Sequence, residues 1–497
     1  MKRYITIVSW IVLILLSYPV NGHCLGVDVR GHVSSLFILR DTDGFQHGFL
    51  DENEGVQWRN ELQFDLTLKP EYAGMPTYYL EKVFMSYRGA YDAIFAIRDE
   101  KYGNIREKSP DDFELGKDDL EWENDLREVF MDLVAEEGMT KVNLRLGRQI
   151  VRWGETDSFN VINVVNPNDN SYQMFFSDPD DLATPLWMAR LNYNVTGVGI
   201  FNNLGFEFLA VPDIRPTQLA PLGNKDGFIN VDAPYAFIMQ GLYDGMAANG
   251  LAGIVRLKEN VPDDTWENME YGMSLDFSIE SLEGSLHYFV GHQDQGVINW
   301  TGFPTLYFEH PRQRTYGYSF NYFVAPLNGV IRGEGAYTDK MHLGYNPTGN
   351  PFAFPEIAKK TVIQNLLGFD KDLHPGWIGT TSALTSAFEI YWQHIQNLEV
   401  DENPAIYAAD KKNTGIATVM FLTDYHHGTI KPRIMAGYDT EGSWMTNFNL
   451  AYDPDGKWMY QITQMSFWGN KTPLSRYSVG GVMQNNSELS FRIYYRF

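Results

Sequence analysis

Cysteine and positive charge are both scarce in this chain of 497 residues. The single cysteine, Cys24, excludes a disulfide framework and any metal cluster built from thiolates. Lysine and arginine number 39 against 63 aspartates and glutamates, which gives a formal net charge of −24. Because a nucleic-acid partner requires a basic face that neutralises phosphates, this balance argues against nucleic-acid binding. Aromatic residues make up 14% of the chain, enough apolar surface to argue against disorder.

Long apolar runs are lacking beyond the first residues. Two basic residues precede an uncharged, mostly apolar stretch over residues 4–16, and Val20-Asn21-Gly22 offers a small-residue cleavage pattern. We therefore predict a secretory signal peptide over residues 1–22 and a single mature domain over residues 23–497. An uncleaved anchor is the alternative, but the run is shorter than the about 20 residues that a spanning helix needs. The exported protein is then either soluble or crosses a membrane as a β-barrel.

Apolar and polar residues alternate along several segments of the mature chain. Between residues 56 and 68 one parity is polar and the other is apolar, with Val56, Trp58, Leu62, Phe64, Leu66 and Leu68. The same pattern recurs over residues 187–195, 269–277, 444–452 and 489–497. A period of two predicts β-strands with one apolar and one polar face.

The connections between these segments are of two kinds. Short ones lie at residues 70–76, 280–283, 325–329, 426–428 and 453–456, and long ones at residues 99–124, 154–184, 212–268, 294–312, 340–360 and 397–413. This asymmetry favours a membrane barrel over a soluble β-sandwich, as do the long strands and the aromatic residues at strand ends. We predict an all-β fold, a transmembrane antiparallel β-barrel of about 18 strands with short periplasmic turns and long extracellular loops.

The strand count depends on how two segments are interpreted. Residues 77–97 must form one long strand for the count to reach about 18, and about 16 strands is the alternative. Apolar residues between 126 and 134 fit a helical stripe as well as a strand. Periodicity alone does not decide between these two structures.

The C-terminus carries a separate signal. Ile493, Tyr495 and Phe497 share one parity, and the chain ends on the aromatic Phe497. This ending resembles the terminal strand by which bacterial outer-membrane barrels are recognised for assembly. We therefore predict a location in a bacterial outer membrane and recognition by the barrel-assembly machinery.

Several short sequence motifs, which follow one another in a fixed order, resemble those of a known family. They are Leu146-Gly147-Arg148-Gln149-Ile150-Val151-Arg152-Trp153-Gly154-Glu155, Asn163-Val164-Val165-Asn166-Pro167, Gly205-Phe206-Glu207-Phe208, Pro221-Leu222-Gly223, Arg332-Gly333-Glu334-Gly335-Ala336-Tyr337 and Leu367-Gly368-Phe369-Asp370. Their order and spacing resemble DUF1302, an uncharacterised outer-membrane family, over most of the mature chain. The resemblance implies a porin-like barrel, associated in many members with efflux or export of hydrophobic compounds, with alginate-export barrels as more distant relatives. It implies no catalytic residues.

Charged residues on the polar parity are candidates for the barrel lumen. A charge that faces lipid at mid-depth costs roughly 2–4 kcal/mol, so charges are expected to point inward. The parity predicts inward side chains for Arg59, Glu61, Asp65, Lys82, Arg88, Arg145, Arg190, Asp276, Arg332, Glu334, Glu389, Lys431, Arg433, Arg492 and Arg496. Two roles stay open for them: bracing the wall through ion pairs, or orienting a polar solute in the channel.

The long connection over residues 154–184 is the best candidate for a constriction. Its acids are Glu155, Asp157, Asp169, Asp178, Asp180 and Asp181, and they lie among the aromatics Phe159, Tyr172, Phe175 and Phe176. A solvated outer loop rarely needs so many apolar groups, so we predict that this loop folds into the lumen. The carboxylates of residues 178–181 also suit Ca²⁺, but they lack the spacing of a dedicated site, and a solvated acidic turn is the favoured interpretation.

The sequence has no recognisable catalytic pattern. It contains no nucleophile elbow, no paired-histidine zinc helix and no phosphate-binding glycine loop, and His426-His427 falls in a predicted turn. His287 and Glu389 are inward by parity, but we expect no nucleophile beside them. We therefore predict no enzymatic activity, no cofactor and no metal site.

The expected function is that of a porin-like channel, or of the outer component of an export route for small or hydrophobic molecules. The alternatives are a surface-exposed binding or structural barrel, with residues 212–268 as its exposed element, and an outer-membrane lipid-modifying enzyme. Expected partners are outer-membrane lipid and lipopolysaccharide, bridged to loop acids by divalent cations, the barrel-assembly machinery, and an inner-membrane efflux pump with a periplasmic factor.

Overall fold

A computed structural model of the chain describes most of the mature sequence. The described residues are 24–41, 53–71, 78–108, 114–154, 159, 161–173, 179–345, 356–377, 379, 382–399, 411–469, 483 and 486–497. The predicted signal peptide lies outside them.

Eighteen strands form one antiparallel sheet that closes on itself. In chain order they are β1 (Cys24–Asp41), β2 (Asn53–Glu71), β3 (Tyr78–Asp92), β4 (Trp122–Glu137), β5 (Thr140–Gln149), β6 (Leu186–Val198), β7 (Phe201–Val211), β8 (Glu270–Ile279), β9 (Leu282–His292), β10 (Arg312–Val324), β11 (Gly329–Tyr345), β12 (Glu356–Leu373), β13 (Leu384–Ile395), β14 (Asn413–Leu422), β15 (Ile430–Asp439), β16 (Trp444–Tyr452), β17 (Trp458–Trp468) and β18 (Ser487–Arg496). Each strand pairs with the next, and β1 pairs with β18, with Ser35 opposite Ile493. The predicted fold class, an antiparallel β-barrel of 18 strands, is confirmed.

The two faces of the wall differ in character, as the alternation requires. On β2, Trp58 and Leu62 point outward and are each 42% exposed, whereas Arg59 and Glu61 point inward and are 3% and 9% exposed. Successive side chains of a strand point to opposite faces, so each strand contributes apolar groups to the outside and polar groups to the lumen. Such a barrel is suited to the hydrocarbon core of a membrane, because a charged side chain that faces lipid is energetically costly.

Short and long connections lie at opposite ends of the barrel. At one end β4 and β5 are joined by residues 138–139, β8 and β9 by residues 280–281, and β16 and β17 by residues 453–457. The turn between β14 and β15 has left-handed backbone at His426, His427 and Gly428, with φ of 51°, 57° and 83°. The long connections, including residues 93–121, 150–185, 212–269 and 293–311, lie at the other end. The short turns and long loops are therefore segregated as predicted.

The two ambiguous segments are resolved differently. Residues 122–137 form strand β4 and not a helix. The prediction of one long strand over residues 77–97 is wrong at its end, because β3 stops at Asp92 and a helical turn, Ile94–Ile97, follows. The Asp92 carboxylate accepts hydrogen bonds from the backbone N–H groups of Trp58 at 2.8 Å and Ile94 at 3.1 Å, which ends the ladder and starts the turn.

The helices of the described residues lie in the connections. They are Ile94–Ile97, Asp99–Tyr102, Lys117–Glu121, Pro179–Leu182 and Gln240–Ala248, with 3₁₀ turns at Ala236–Met239 and Ala325–Leu327. Not one of these helices combines the length and the apolar character that a membrane span requires.

Residues 212–269 and 293–311 together form a small folded unit at the loop end, called the cap here. Its three-stranded sheet consists of Arg256–Asn260, Thr305–Glu309 and Val297–Asn299. The sheet packs on the helix Gln240–Ala248 around an apolar core that includes Leu242, Met246, Val255 and Leu306. A two-residue bridge also pairs Asp169–Asn170 with Gln218–Leu219, which joins the cap to the loop between β5 and β6.

Candidate functional site

The lumen wall carries buried ion pairs between neighbouring strands. On β5, Arg145 binds Asp132 of β4 through two hydrogen bonds, from Nε at 2.7 Å and from Nη2 at 3.0 Å. Lys82 of β3 lies 3.6 Å from the same carboxylate, which is 1% exposed. Two cations on one buried carboxylate leave it fully compensated, so this cluster stabilises the wall.

A second cluster lies on the opposite side of the barrel. Arg332 of β11 binds Asp370 of β12 at 2.7 Å and Glu389 of β13 at 3.1 Å. Arg332, Glu389 and the neighbouring Glu334 are all buried. Buried side chains on the inner face of a barrel require material in the lumen, because an open water-filled pore would expose them.

That material is the connection between β5 and β6, residues 150–185, called the lumen loop here. Its indole Trp153 donates from Nε1 to Glu207 Oε1 of β7 at 2.7 Å. The same ring stacks on His287 of β9 with centroids 4.9 Å apart. Further along, Phe159 stacks on Tyr391 of β13 at 5.2 Å. The loop therefore extends from its origin at β5 to the strands on the far side of the lumen.

The return path of the lumen loop is anchored on β2 and β3. The Tyr172 hydroxyl accepts a hydrogen bond from Arg88 Nη2 at 2.8 Å, and its backbone carbonyl accepts one from Gln57 Nε2 at 2.8 Å. The Arg59 guanidinium lies over the Tyr172 ring, 4.2 Å from its centroid. Both arginines are also paired with Glu123. One aromatic residue thus fixes the loop to a wall made of two charged strands.

Two asparagines give the lumen loop its local shape. Asn163 Oδ1 accepts hydrogen bonds from the backbone N–H groups of Trp153 at 2.8 Å and Gly154 at 2.9 Å. Asn166 Oδ1 accepts from the Val151 N–H at 2.8 Å, and its amide donates to the Thr184 carbonyl at 2.9 Å. These bonds satisfy buried backbone groups that have no strand partner, which explains why the asparagines occur at these positions.

The lumen loop also has an apolar contact with the wall. Its buried residues Val151, Val161, Ile162 and Val165 pack against inward-facing residues of four strands, Leu186, Met188, Leu209, Val211, Phe289 and Ala336. At Gly317 of β10, a Cβ atom would lie 2.9 Å from the Ile162 side chain, so the absence of a side chain there makes room for the loop. Charged anchors and an apolar seat together hold the loop across the lumen.

The predicted constriction acids are only partly within the described residues. Asp181 lies 3.5 Å from Arg88, and Asp169 accepts hydrogen bonds from Ser171. Burial raises the pKa of Asp181, an effect that Arg88 partly offsets, and burial likewise raises the pKa of Asp169. Glu155, Asp157, Asp178, Phe175 and Phe176 lie outside the described residues, and Asp180 is described only as part of the short helix Pro179–Leu182.

Several partners of the predicted charges were not identified from the sequence. Asp132 belongs to the segment of ambiguous periodicity, residues 126–134, so the sequence gives it no parity, and Glu123 falls in the connection predicted over residues 99–124. Glu207, which pairs with Arg190 as well as Trp153, lies in a recognisable phrase but was not assigned a role. The positions of these acids relative to the predicted arginines follow only from strand register.

The remaining predicted wall residues are less buried. Lys431 and Arg496 both lie 3.1 Å from Asp453, in the turn between β16 and β17. Arg492 donates to the Tyr494 hydroxyl at 2.6 Å, and Asp276 accepts from Ser274 at 2.9 Å. In the assembly segment, Ile493 and Phe497 are exposed on the outer face, and the Phe497 backbone pairs with Gly31 in both directions at 3.0 Å. Glu61 contacts His32 at 3.2 Å, whereas Arg433 is exposed and Asp65 half-buried on the inner face.

The cap is attached to the wall far from its own strands. Arg40 of β1 pairs with Glu488 of β18 at 2.6 Å and donates to the backbone carbonyl of Pro234. Its guanidinium also lies between the rings of Tyr235 and Phe237, 4.9 and 4.8 Å from their centroids. The connection that begins at β7 therefore crosses the barrel mouth and is held at the β1–β18 pair.

A serine lies beside His287, contrary to expectation. Ser285 Oγ is 2.6 Å from His287 Nε2 and also contacts Ser319 Oγ, because residues two apart on a strand share a face. Within the described residues, His287 Nδ1 has no hydrogen-bond partner, so no carboxylate orients the imidazole as nucleophilic catalysis requires. The pair forms part of the seat of Trp153.

Clusters of metal-ligating side chains were sought among the described residues. Across the described ranges, no group of three or more His, Cys, Asp and Glu side chains has the geometry to hold an ion. The Ca²⁺ hypothesis for residues 178–181 depends on Asp178, which lies outside those ranges.

Solved barrels with loosely similar folds come from two bacteria. Acinetobacter baumannii OccAB3 is 9% identical, with 95% of this chain and 99% of that chain covered and a TM-score of 0.47. OccAB4 from the same organism is 11% identical, with coverage of 96% and 100% and a TM-score of 0.47. Pseudomonas aeruginosa OccK8 (OprE) is 10% identical, with coverage of 95% and 98% and a TM-score of 0.45. The agreement is loose, so the assignment of the barrel rests on this chain's own strand pairing.

Sequence comparison gives a more specific result. Among curated protein sequences, none is significantly similar to this chain. The family model described as "Protein of unknown function (DUF1302)" matches residues 22–497, which include every strand of the barrel and the lumen loop. The resemblance inferred from the short phrases is therefore confirmed, and the chain belongs to the DUF1302 family.

Proposed function

We propose that this protein is a porin-like channel of a bacterial outer membrane whose conducting path is set by the lumen loop. The observation that carries the proposal is the loop itself, which is bound to β2 and β3 by Tyr172 and to β7 and β9 by Trp153. A barrel with an apolar exterior and a charged interior suits passage of solutes across a membrane. A loop folded inside it narrows that passage and sets which solutes cross.

The proposal extends to an export route. The cap covers the mouth at the long-loop end and is held there by Arg40, whereas inward residues near the short-turn end, such as Lys431 and Arg433, are exposed. Access is thus easier from the short-turn end, the expected periplasmic side. A supply of solute from an inner-membrane pump through a periplasmic factor is consistent with this asymmetry. Recognition of the C-terminal strand by the assembly machinery and bridging of loop acids to lipopolysaccharide belong to the same proposal.

Single-channel recording in planar bilayers tests the channel. We expect discrete conductance steps from the purified barrel, and larger steps when residues 155–181 are replaced by a short Gly-Ser linker. A matched variant that shortens the connection over residues 396–412, which lies at the same end between β13 and β14, should keep the wild-type conductance. Equal conductance in the wild type and the linker variant would remove the lumen loop from the path.

A surface-binding function is the second candidate. The cap has its own sheet and an apolar core in which Leu242 and Leu306 are fully buried, more order than a passive covering requires. Under that function, the intact barrel would be silent in bilayers and the linker variant would be silent as well.

A further inference from the structure

The inner face of β14–β17 carries a cluster of apolar side chains that lies apart from the seat of the lumen loop. Its members, called the methionine wall here, are Ile416, Met420, Met435, Met445, Met465 and Phe467. They belong to one apolar cluster, in which Met420 lies directly opposite Met435 and Met445 directly opposite Phe467. Porin interiors are normally polar, so a contiguous apolar surface on the inner face requires an explanation.

The cap explains only the upper part of the methionine wall. Ala233 and Tyr235 of the cap belong to the same apolar cluster, and there Met445 and Phe467 are 1% and 2% exposed. Closer to the short-turn end, Met420 and Met465 are only partly buried. Leu422, the next inward residue on β14, is 37% exposed. Met420 and Leu422 are thus accessible from the lumen, whereas Met435 is only 8% exposed.

A cation adjoins this lower part. Arg433 is two residues from Met435 on the same face of β15, and it lies directly opposite Leu422 on one side and Asn449 on the other. Its side chain is exposed. In the described part of the chain, no carboxylate lies within ion-pair distance of Arg433, whereas Arg145 and Arg332 each hold a buried acid.

We infer that Met420, Leu422 and Arg433, on the lower inner face of β14 and β15, form a binding site for an amphiphilic organic anion, an apolar body that ends in a carboxylate. The inference rests on the proposed channel function and names the class of solute that the channel takes. The guanidinium of Arg433 presents a planar pair of donors that matches a carboxylate. Met420 supplies a flexible, polarisable surface that adapts to apolar groups of different shape, and Leu422 adds an exposed apolar surface directly opposite Arg433.

The spacing fits a small solute. Residues two apart on a strand are separated by about 6.6 Å, and directly opposed side chains of neighbouring strands by about 5 Å. A carboxylate on Arg433 therefore places an attached ring or short alkyl chain against Leu422 and Met420.

Equilibrium binding of 4-butylbenzoate to the full-length barrel in lipid nanodiscs tests the inference. The neutral isostere 4-butylbenzamide and the truncated anion benzoate are the comparison probes, and empty nanodiscs correct for partition into lipid. We expect 4-butylbenzoate to bind about tenfold or more tightly than either probe. Arg433→Gln should weaken the carboxylate about tenfold while leaving the amide within about twofold. The double substitution Met420→Ser and Leu422→Ser should weaken the binding of both butyl probes.

Controls separate a lost site from a lost fold. Arg314→Gln removes another exposed arginine from the outer face of β10 and should change nothing. Arg433→Lys keeps the charge and should recover part of the affinity. Equal affinity of the wild type for the carboxylate and the amide, or an Arg433→Gln variant that binds as the wild type does, would overturn the inference. Conductance is measured separately, so a conducting barrel without selective binding refutes the site alone, and a silent barrel that binds refutes the channel alone.

Discussion

The hydrogen bond between Trp153 and Glu207 offers the sharpest test of the lumen loop. Trp153→Phe removes the indole N–H but keeps an aromatic ring that can stack on His287. Arg190 still pairs with the Glu207 carboxylate, so the substitution does not leave a buried charge without a partner. The lost interaction is therefore one hydrogen bond to a charged acceptor, at 2.7 Å and at a residue that is 6% exposed.

Hydrogen bonds to charged groups contribute about 1.5–3 kcal/mol, and each 1.4 kcal/mol is about tenfold in an equilibrium constant. The ratio of undocked to docked loop should therefore rise roughly ten- to 150-fold. In single-channel records this ratio is the time spent at high conductance divided by the time at low conductance. Trp444→Phe, which changes an outward-facing tryptophan that is 45% exposed, is the matched control. A dwell ratio within about twofold of the wild type, from a variant with normal heat-stable barrel structure, would refute this assignment.

Three further predictions concern the latch, the pH response and the wall. Arg40→Ala should destabilise the cap by about 3–5 kcal/mol, because Glu488 is left buried without its partner. Limited proteolysis within residues 212–269 should then become faster. Adding Glu488→Gln to the Arg40→Ala variant should restore part of the resistance to proteolysis. Burial raises the pKa of Asp181 in the docked loop, so the docked state binds the proton more tightly than the undocked state. Docking of the lumen loop should accordingly become more favourable as the pH falls through the raised pKa of Asp181, and this stabilisation should be complete below the ordinary aspartate pKa of about 3.9. Asp181→Asn should remove this part of the pH dependence of the dwell ratio. Asp132→Asn should lower the thermal unfolding temperature of the barrel, since Arg145 and Lys82 lose a shared buried carboxylate. The control Asp226→Asn, at an exposed residue, should leave this temperature unchanged. Equal unfolding temperatures for the wild type and Asp132→Asn would refute a stabilising role for this cluster.

The barrel could be predicted from sequence because its pattern is local. A strand with one lipid-facing and one lumen-facing side alternates between apolar and polar residues. The alternation around Trp58 and Arg59 is therefore visible in the sequence without knowledge of distant contacts. The boundary error at residues 93–97 has a local cause too. Apolar residues Ile94 and Phe95 are buried against the outer loops after the strand has ended, so hydrophobicity continues where pairing does not.

The site could be predicted only in part, for a reason of distance along the chain. Trp153 and Glu207 are 54 residues apart, and nothing in either local sequence indicates that they meet. The aromatic content of the 154–184 connection did indicate burial, but not the strands against which it packs. The Ser285–His287 contact was within reach of the same parity argument that placed His287 inward, because both residues occupy one face of β9.

The position of Arg40 has a consequence for biogenesis. Arg40 and Glu488 come from the first and last strands of the chain, which become neighbours only when the cylinder is sealed. The surface on Arg40 and Glu488 that binds Tyr235 and Phe237 is therefore absent from every folding intermediate in which β1 and β18 are not yet paired. Pairing of β1 with β18 must therefore precede docking of the cap. The docked cap in turn stabilises this strand pair. The mouth of the barrel becomes covered only in molecules whose assembly is complete.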